Sequence, residues 1–155
     1  MTGSEMTHDE LVARAVRWLR GTQRCSVVVA ETVSATWEVP DAIGWRTAHY
    51  SILVECKTSR ADFFAEAKHK NRRMPMMGMG RLRYYMTPPG LLGVGEIPEN
   101  WGLLEVHEKY VRVKLKATPR AEDVMRKHAR TMEQMQIFSA LRILQKEVRD
   151  DKEQS

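Results

Sequence analysis

The chain is short of several things, and each shortage excludes a class of protein. Only two of its 155 residues are cysteine. Cys25 and Cys56 stand far apart and in no CxxC pair, which argues against a zinc ribbon or a disulfide framework. No apolar run approaches the roughly 18 residues that a membrane-spanning helix requires, so no membrane association is expected. The opening, MTGSEMTHDE, is acidic and polar, where a secretory signal is basic and then apolar. The expected location is therefore intracellular: cytoplasmic, with nucleoid association left open. Excess charge of one sign is also small. Twenty-five Lys and Arg against 20 Asp and Glu leave +5, too little for a histone-like tail and enough only for a modest attraction to polyanions.

Motifs of common enzyme classes are absent as well. Gly93-Val94-Gly95 is a lone GxG with no following Gly-Lys-Ser/Thr, so there is no P-loop. His8, His49, His69, His107 and His128 show neither HExxH nor HNH-like spacing, and there is no GxSxG. These gaps disfavour zinc hydrolysis, ββα-metal nuclease chemistry and serine hydrolysis. The chain has no internal repeat and no low-complexity tract. At 43% hydrophobic residues, it is long enough to bury a core in one domain.

What is present reads as an ordered series of elements. Thr7-His8-Asp9-Glu10 is a capping box, followed by Leu11, Val12, Ala15, Val16 and Leu19 at helical spacing up to Gly21. Ser26-Val27-Val28-Val29-Ala30 suits a buried strand. Trp37 to Trp45 reads as a strand with an irregular start at Pro40. A polar turn over Arg46-Thr47-Ala48-His49 leads into the clearest strand, Tyr50 to Lys57. Ser59-Arg60-Ala61-Asp62 caps a helix from Arg60 to about Asn71. Arg72 to Gly80 is expected to be a mobile loop. Leu82 to Thr87 reads as a strand stopped by Pro88-Pro89-Gly90. Gly102 to Val106 and Tyr110 to Lys116 read as a hairpin, and about Arg120 to Asp150 as a long amphipathic helix with a polar, disordered end. Three consecutive strands favour antiparallel pairing, and strand–helix–strand from Ile52 to Met86 implies a right-handed parallel crossover. The expected class is α/β, a mixed sheet flanked by helices, with residues 1–118 as the domain and 119–155 as a helix packed on it or used for a homodimer.

Two carboxylates break the local pattern. Glu55 and Lys57 interrupt an apolar strand and share a face with Leu53, while Ile52, Val54 and Cys56 take the other. Asp41 starts the preceding strand. If the two strands pair antiparallel, Asp41 comes within reach of Glu55 and Lys57. Two carboxylates with a lysine suit a hard cation such as Mg²⁺, and phosphodiester chemistry with it. An edge-strand ion pair with Asp41 as a turn residue explains the same spacing.

Pro40-Asp41, thirteen intervening residues and Glu55-Cys56-Lys57 resemble the signature of the PD-(D/E)xK nuclease superfamily, whose αβββαβ, restriction-endonuclease-like core has this order of elements. The run Glu55-Cys56-Lys57-Thr58-Ser59-Arg60-Ala61-Asp62-Phe63, continuing to Glu66 and Lys68, is similar to MmcB-like DNA-repair proteins and related phage-type nucleases. The likeness covers roughly Glu10 to Leu115, about two-thirds of the chain. It implies a divalent-metal-dependent nuclease (Mg²⁺ or Mn²⁺) acting on DNA, in repair, recombination or phage DNA processing, with RNA not excluded. Asp41, Glu55 and the Cys56 carbonyl would be the metal ligands and Lys57 the catalytic lysine. Glu10 matches the place of a supporting glutamate on the first helix, though capping explains it equally. Glu31 and, more weakly, Glu38 are further acidic candidates, although strand-end glutamates are commonly just solvated. The alternative class is a module on the same fold that binds nucleic acid or a repair partner without cutting.

Lys57, Arg60, Lys68, His69, Lys70, Arg72 and Arg73 form the densest positive run and fall where a phosphate backbone would lie. Of these, Arg60, Lys68, Lys70, Arg72 and Arg73 are the expected nucleic-acid contacts. The plain alternative is a solvated helix end, where cations are favoured anyway. Ser59 reads as a cap, in reach of a scissile phosphate. Met74, Met76, Met77 and Met79 read as a hydrophobic lid or as a soft surface for DNA or a partner.

Overall fold

The architecture follows from where the apolar residues can be buried. In the computed structural model, residues 5–30, 40–72, 78–121 and 129–155 are described, with the side chains of 67–72 left out. The elements are α1 (His8–Arg20), β1 (Val27–Ala30), β2 (Ala42–Thr47), β3 (Tyr50–Cys56), α2 (Arg60–Arg72), β4 (Leu82–Thr87), a 3₁₀ turn (Val94–Glu96), β5 (Trp101–Val106), β6 (Val111–Leu115) and α3 (Arg130–Gln154). The strands form one mixed sheet in chain order, β1 to β6. β1, β2 and β3 pair antiparallel, β3, β4 and β5 pair parallel, and β6 returns antiparallel on β5. The α/β class, the antiparallel start, the parallel β3–β4 step and the closing hairpin agree with the sequence reading.

A parallel strand needs a crossover and loses contact with water on both faces. Every residue of β5, and every residue of β3 from Ser51, is buried. One face of the sheet packs on α1, where Leu11, Ala15, Trp18 and Leu19 meet Ile52, Val54, Cys56, Tyr84, Met86 and Leu104. On the opposite face Ile43, Trp45, Leu53, Tyr85 and Leu103 meet Phe63 of α2, Leu92 of the β4–β5 crossover and Met132 of α3. Tyr84 and Tyr85 are thus both core residues, one per face, and Met79 is fully buried in the second cluster. Both cysteines are buried and free.

α1 begins as its capping box dictates: the Thr7 hydroxyl accepts the Glu10 N–H (3.2 Å) and the Glu10 carboxylate accepts the Thr7 N–H (2.8 Å). Other boundaries differ from expectation. β2 starts only after Pro40 and Asp41, and it includes Arg46 and Thr47, so the turn is tighter than the polar run suggested. α2 extends to Arg72, into the expected loop, whose residues 73–77 lie outside the described ones. The final helix includes neither Arg120 nor Ala121. Arg120 is instead buried, with its Nε donating to the Gly80 carbonyl (2.9 Å) and its guanidinium also to the Gly78 carbonyl. Helix α3 also runs on to Gln154, through the polar end expected to be disordered.

A buried polar staple attaches α3 to the sheet. The Glu133 carboxylate accepts from the Ser51 hydroxyl (2.6 Å), the Gly80 N–H (2.9 Å) and the Trp45 indole (3.2 Å). Gly80 can take this place because its φ is +91° and a Cβ would lie 2.6 Å from the Leu53 Cβ. Removing the acceptor leaves three buried donors without it. Glu133→Ala should therefore cost about 3 kcal/mol of unfolding free energy in a denaturant titration; a loss within the range of ordinary surface substitutions would show that the staple contributes nothing.

Candidate functional site

The site lies at the carboxyl ends of the parallel strands, the usual location for ligands in open α/β sheets. β3 brings Glu55 and Cys56 there, and Lys57 follows directly. The Lys57 N–H donates to the Met86 carbonyl (3.0 Å), tying this end to β4. On the other side, Ala42 pairs with Val54, so one step further along the register sets Asp41 opposite Glu55. The proline before Asp41 delays pairing, which leaves its side chain free to turn along the strand end. The Asp41 Oδ2 accepts the Cys56 N–H at 2.7 Å, and its Oδ1 lies 3.3 Å from the His8 Nε2 at the start of α1. Glu55 is only 6% exposed, and its neighbour across β4 is Tyr85.

The Lys57 ammonium is partly buried and forms an ion pair with the Glu66 carboxylate of α2. Phe63 and Glu66 are three residues apart on that helix and so share a face. Burial of Phe63 against Tyr85 (ring centroids 5.0 Å apart) turns Glu66 toward the strand end. Three of the residues singled out in the sequence, Asp41, Glu55 and Lys57, thus stand at the adjoining ends of β2 and β3, with Asp41 on the Cys56 N–H and Lys57 on Glu66. His8 and Glu66 join them, and the sequence reading gave neither a role in the site. The helical spacing from Phe63 was the available signal for Glu66; His8 had none beyond its place at the helix start.

The other candidates are distributed differently. Glu10 spends a carboxylate oxygen on the Thr7 N–H, as capping requires. Ser59 accepts the Asp62 N–H at 3.2 Å and caps α2. Arg60, expected on a phosphate backbone, is instead forked on Glu96 (3.0 and 2.5 Å) and donates to the Leu91 carbonyl (3.1 Å), with its guanidinium over the Phe64 ring. Lys68, Lys70 and Arg72 occupy the last turns of α2, but their side chains lie outside the described ones; Arg73, Glu31 and Glu38 lie outside the described residues altogether. Among the described residues, no three His, Cys, Asp or Glu side chains converge as a metal-holding group. Asp41 and Glu55 are a pair of hard oxygen donors at adjoining strand ends. That fits a cation such as Mg²⁺, which takes one or two carboxylates and keeps its waters.

Two clasps hold the crossover between β4 and β5 beside this site. Glu105, 4% exposed on β5, accepts the Gly90 N–H (2.7 Å) and the Lys114 ammonium (3.2 Å). Burial works to raise its carboxyl, but the Gly90 amide and Lys114 outweigh that and hold it below the usual carboxylate range. The second clasp is Arg60–Glu96. Arg60, helped by the Gly93 N–H, lowers the Glu96 carboxyl to about 2. Since that is below the ordinary value of 4.5, the pair's contribution to stability is complete above 4.5 and is lost as pH falls through about 2. NMR titration of the Glu96 carboxyl carbon should show a midpoint at about 2, and Arg60→Ala should return it toward the ordinary value. A midpoint indifferent to Arg60→Ala would mean the clasp is open in solution.

No family model matches the chain, and no curated protein does. Among solved structures, the SPO1766 protein of unknown function from Silicibacter pomeroyi is similar over 96% of both chains, with a TM-score of 0.66 and 24% identity. That likeness concerns the fold alone.

Proposed function

We propose that the chain is a divalent-metal-dependent nuclease of the PD-(D/E)xK type, hydrolysing phosphodiesters of DNA inside the cell, in the cytoplasm, on a restriction-endonuclease-like fold. The observation that carries this reading is the Asp41 carboxylate seated on the Cys56 N–H opposite Glu55, with Lys57 adjoining. The order helix, three antiparallel strands, helix, parallel strand supports the fold assignment. The short acid–x–lysine run at the end of a doubly buried strand supports the chemistry, since charges placed there need a use to offset their desolvation.

In this reading Asp41 and Glu55 hold Mg²⁺ or Mn²⁺, with the Cys56 carbonyl as the backbone ligand. When bound, the cation supplies Lewis-acid polarisation of the phosphodiester and eases ionisation of a water. The Cys56 N–H fixes one oxygen of Asp41, and the other lies 3.3 Å from the His8 Nε2, where a cation would compete with the imidazole. Lys57, on the same side of the chain as Glu55, orients the attacking water and offsets charge developing on the phosphate oxygens. Glu66 holds the ammonium in place until a phosphate competes for it. DNA repair, recombination or phage DNA processing are the roles this chemistry would serve.

The Lys57–Glu66 ion pair also favours a second reading, a module that binds nucleic acid or a repair partner without cutting, because a lysine neutralised by a glutamate is poorly placed to assist a water. A cleavage panel of single-stranded, duplex, flap and junction DNA and of RNA, with Mg²⁺, Mn²⁺ or EDTA, separates the two. Cleavage should require the metal, and Asp41→Ala or Lys57→Ala should lower its rate on the order of 10²–10⁴-fold while the fold survives. Calorimetric binding of Mn²⁺ should be lost in Asp41→Ala but kept in Lys57→Ala. Equal cleavage by the variants, or cleavage undiminished in EDTA, would sink the nuclease reading; binding in EDTA with no cleavage of any substrate would establish the second.

A further inference from the structure

Helix α3 leaves the body of the domain halfway along its length. Its first turns are anchored by buried Met132, Glu133 and Gln136, and Ile137 and Ala140 are partly buried against the second core cluster. From residue 141 to 155 every residue is exposed. A polar helix would be comfortable there, but this one is not polar all round: Leu141, Leu144 and Val148 are 52%, 54% and 48% exposed.

With Ile137, which is partly buried on the core, these residues follow a 4-3-4 spacing on one stripe, while exposed Ile143 stands off it and Arg142, Lys146, Arg149, Asp150 and Glu153 take other faces. A helix that covers its own core presents a broader stripe and buries it. A narrow stripe repeating every 3.5 residues is the seam of a two-stranded coil. The stripe is therefore built to be covered.

The charges beside the seam say by what. With Ile137 and Leu144 at the d positions and Leu141 and Val148 at the a positions, Glu147 takes a g position and Lys152 the e position five residues on. In a parallel, in-register pair, g of one helix faces that e of the other. Glu147 of one copy then meets the partner subunit's Lys152, and the symmetry makes the pair twice. An antiparallel pair matching the same apolar layers sets g beside g and e beside e, so Glu147 meets Ala140 and Lys152 has no carboxylate opposite it. Asp151, at the next d position, ends the seam in a residue that stays hydrated at the helix end.

We infer that the exposed half of α3 is a self-association surface, and that its occupant is the same segment of a second copy of this chain, parallel and in register. The inference is independent of the proposed nuclease activity. Sedimentation equilibrium of the full chain, up to about 0.5 mM, should show the mass rising from 17.9 kDa toward twice that value. The double substitution Leu141→Asp/Leu144→Asp should hold the chain at the monomer mass with unchanged circular dichroism of the sheet, because neither side chain is part of the core. Asp151→Cys should give a disulfide-linked dimer on mild oxidation, since equivalent d positions face each other only in a parallel pair and the native cysteines are buried. A chain that remains monomeric, a dimer that survives the double substitution, or a dimer that Asp151→Cys does not link would each overturn it.

Discussion

Strand β3 is buried on both faces from Ser51 onward, and much of the molecule is a consequence of that burial. A strand in this position has no water to satisfy its backbone, so its N–H and C=O groups must be met on both sides by other strands. β2 meets them antiparallel and β4 parallel. The parallel partner in turn demands a crossover helix, α2, which packs on the same sheet face as Glu55. Charged groups cannot occupy the middle of such a strand. They can occupy its end, where the carboxylate of one strand reaches the amide of the next, as Asp41 reaches Cys56.

The two ends of the sheet are held by different kinds of polar contact. At the amino ends of β3 and β4 a single buried carboxylate, Glu133, gathers three neutral donors from β2, β3 and Gly80, two residues before β4. This is structural: the carboxylate serves three donors that burial would otherwise orphan. At the carboxyl ends the polar groups are charged pairs that remain partly accessible, Lys57–Glu66 and Arg60–Glu96. The more exposed of the two, Arg60–Glu96, contributes little to stability, and both pairs act by position. They hold α2 and the 88–100 crossover in fixed relation around Asp41 and Glu55.

Much of the fold was legible locally. The Thr7–Glu10 box, the alternation along Tyr50–Cys56, the Ser59 cap and the Val111–Leu115 strand each depend on residues within one turn or one strand of each other, so a linear pattern carries them. The parallel pairing of β5 on β4 was not legible, because the 88–100 segment contains only a short 3₁₀ turn and no helical periodicity to mark a crossover. Arg120 read as a helix residue because charged side chains are usually solvated; its burial depends on the carbonyls of Gly78 and Gly80, some 40 residues away. In the candidate site, Asp41, Glu55 and Lys57 could be paired from strand spacing alone. The link from His8 to Asp41 could not, since it depends on how α1 lies across the sheet.

The sequence by itself determined which segments are helix or strand and which face of each is apolar, because those follow from side-chain spacing against fixed backbone periods. It also determined that an acid and a lysine would stand together at the end of one strand. Only the tertiary structure decided what those charges meet: Asp41 on the Cys56 amide, Lys57 on Glu66, Arg60 on Glu96 rather than on open solvent. The reason is that hydrogen bonds and ion pairs act over a few ångströms, and the partners are brought within that range only when the sheet and its two helical layers are assembled.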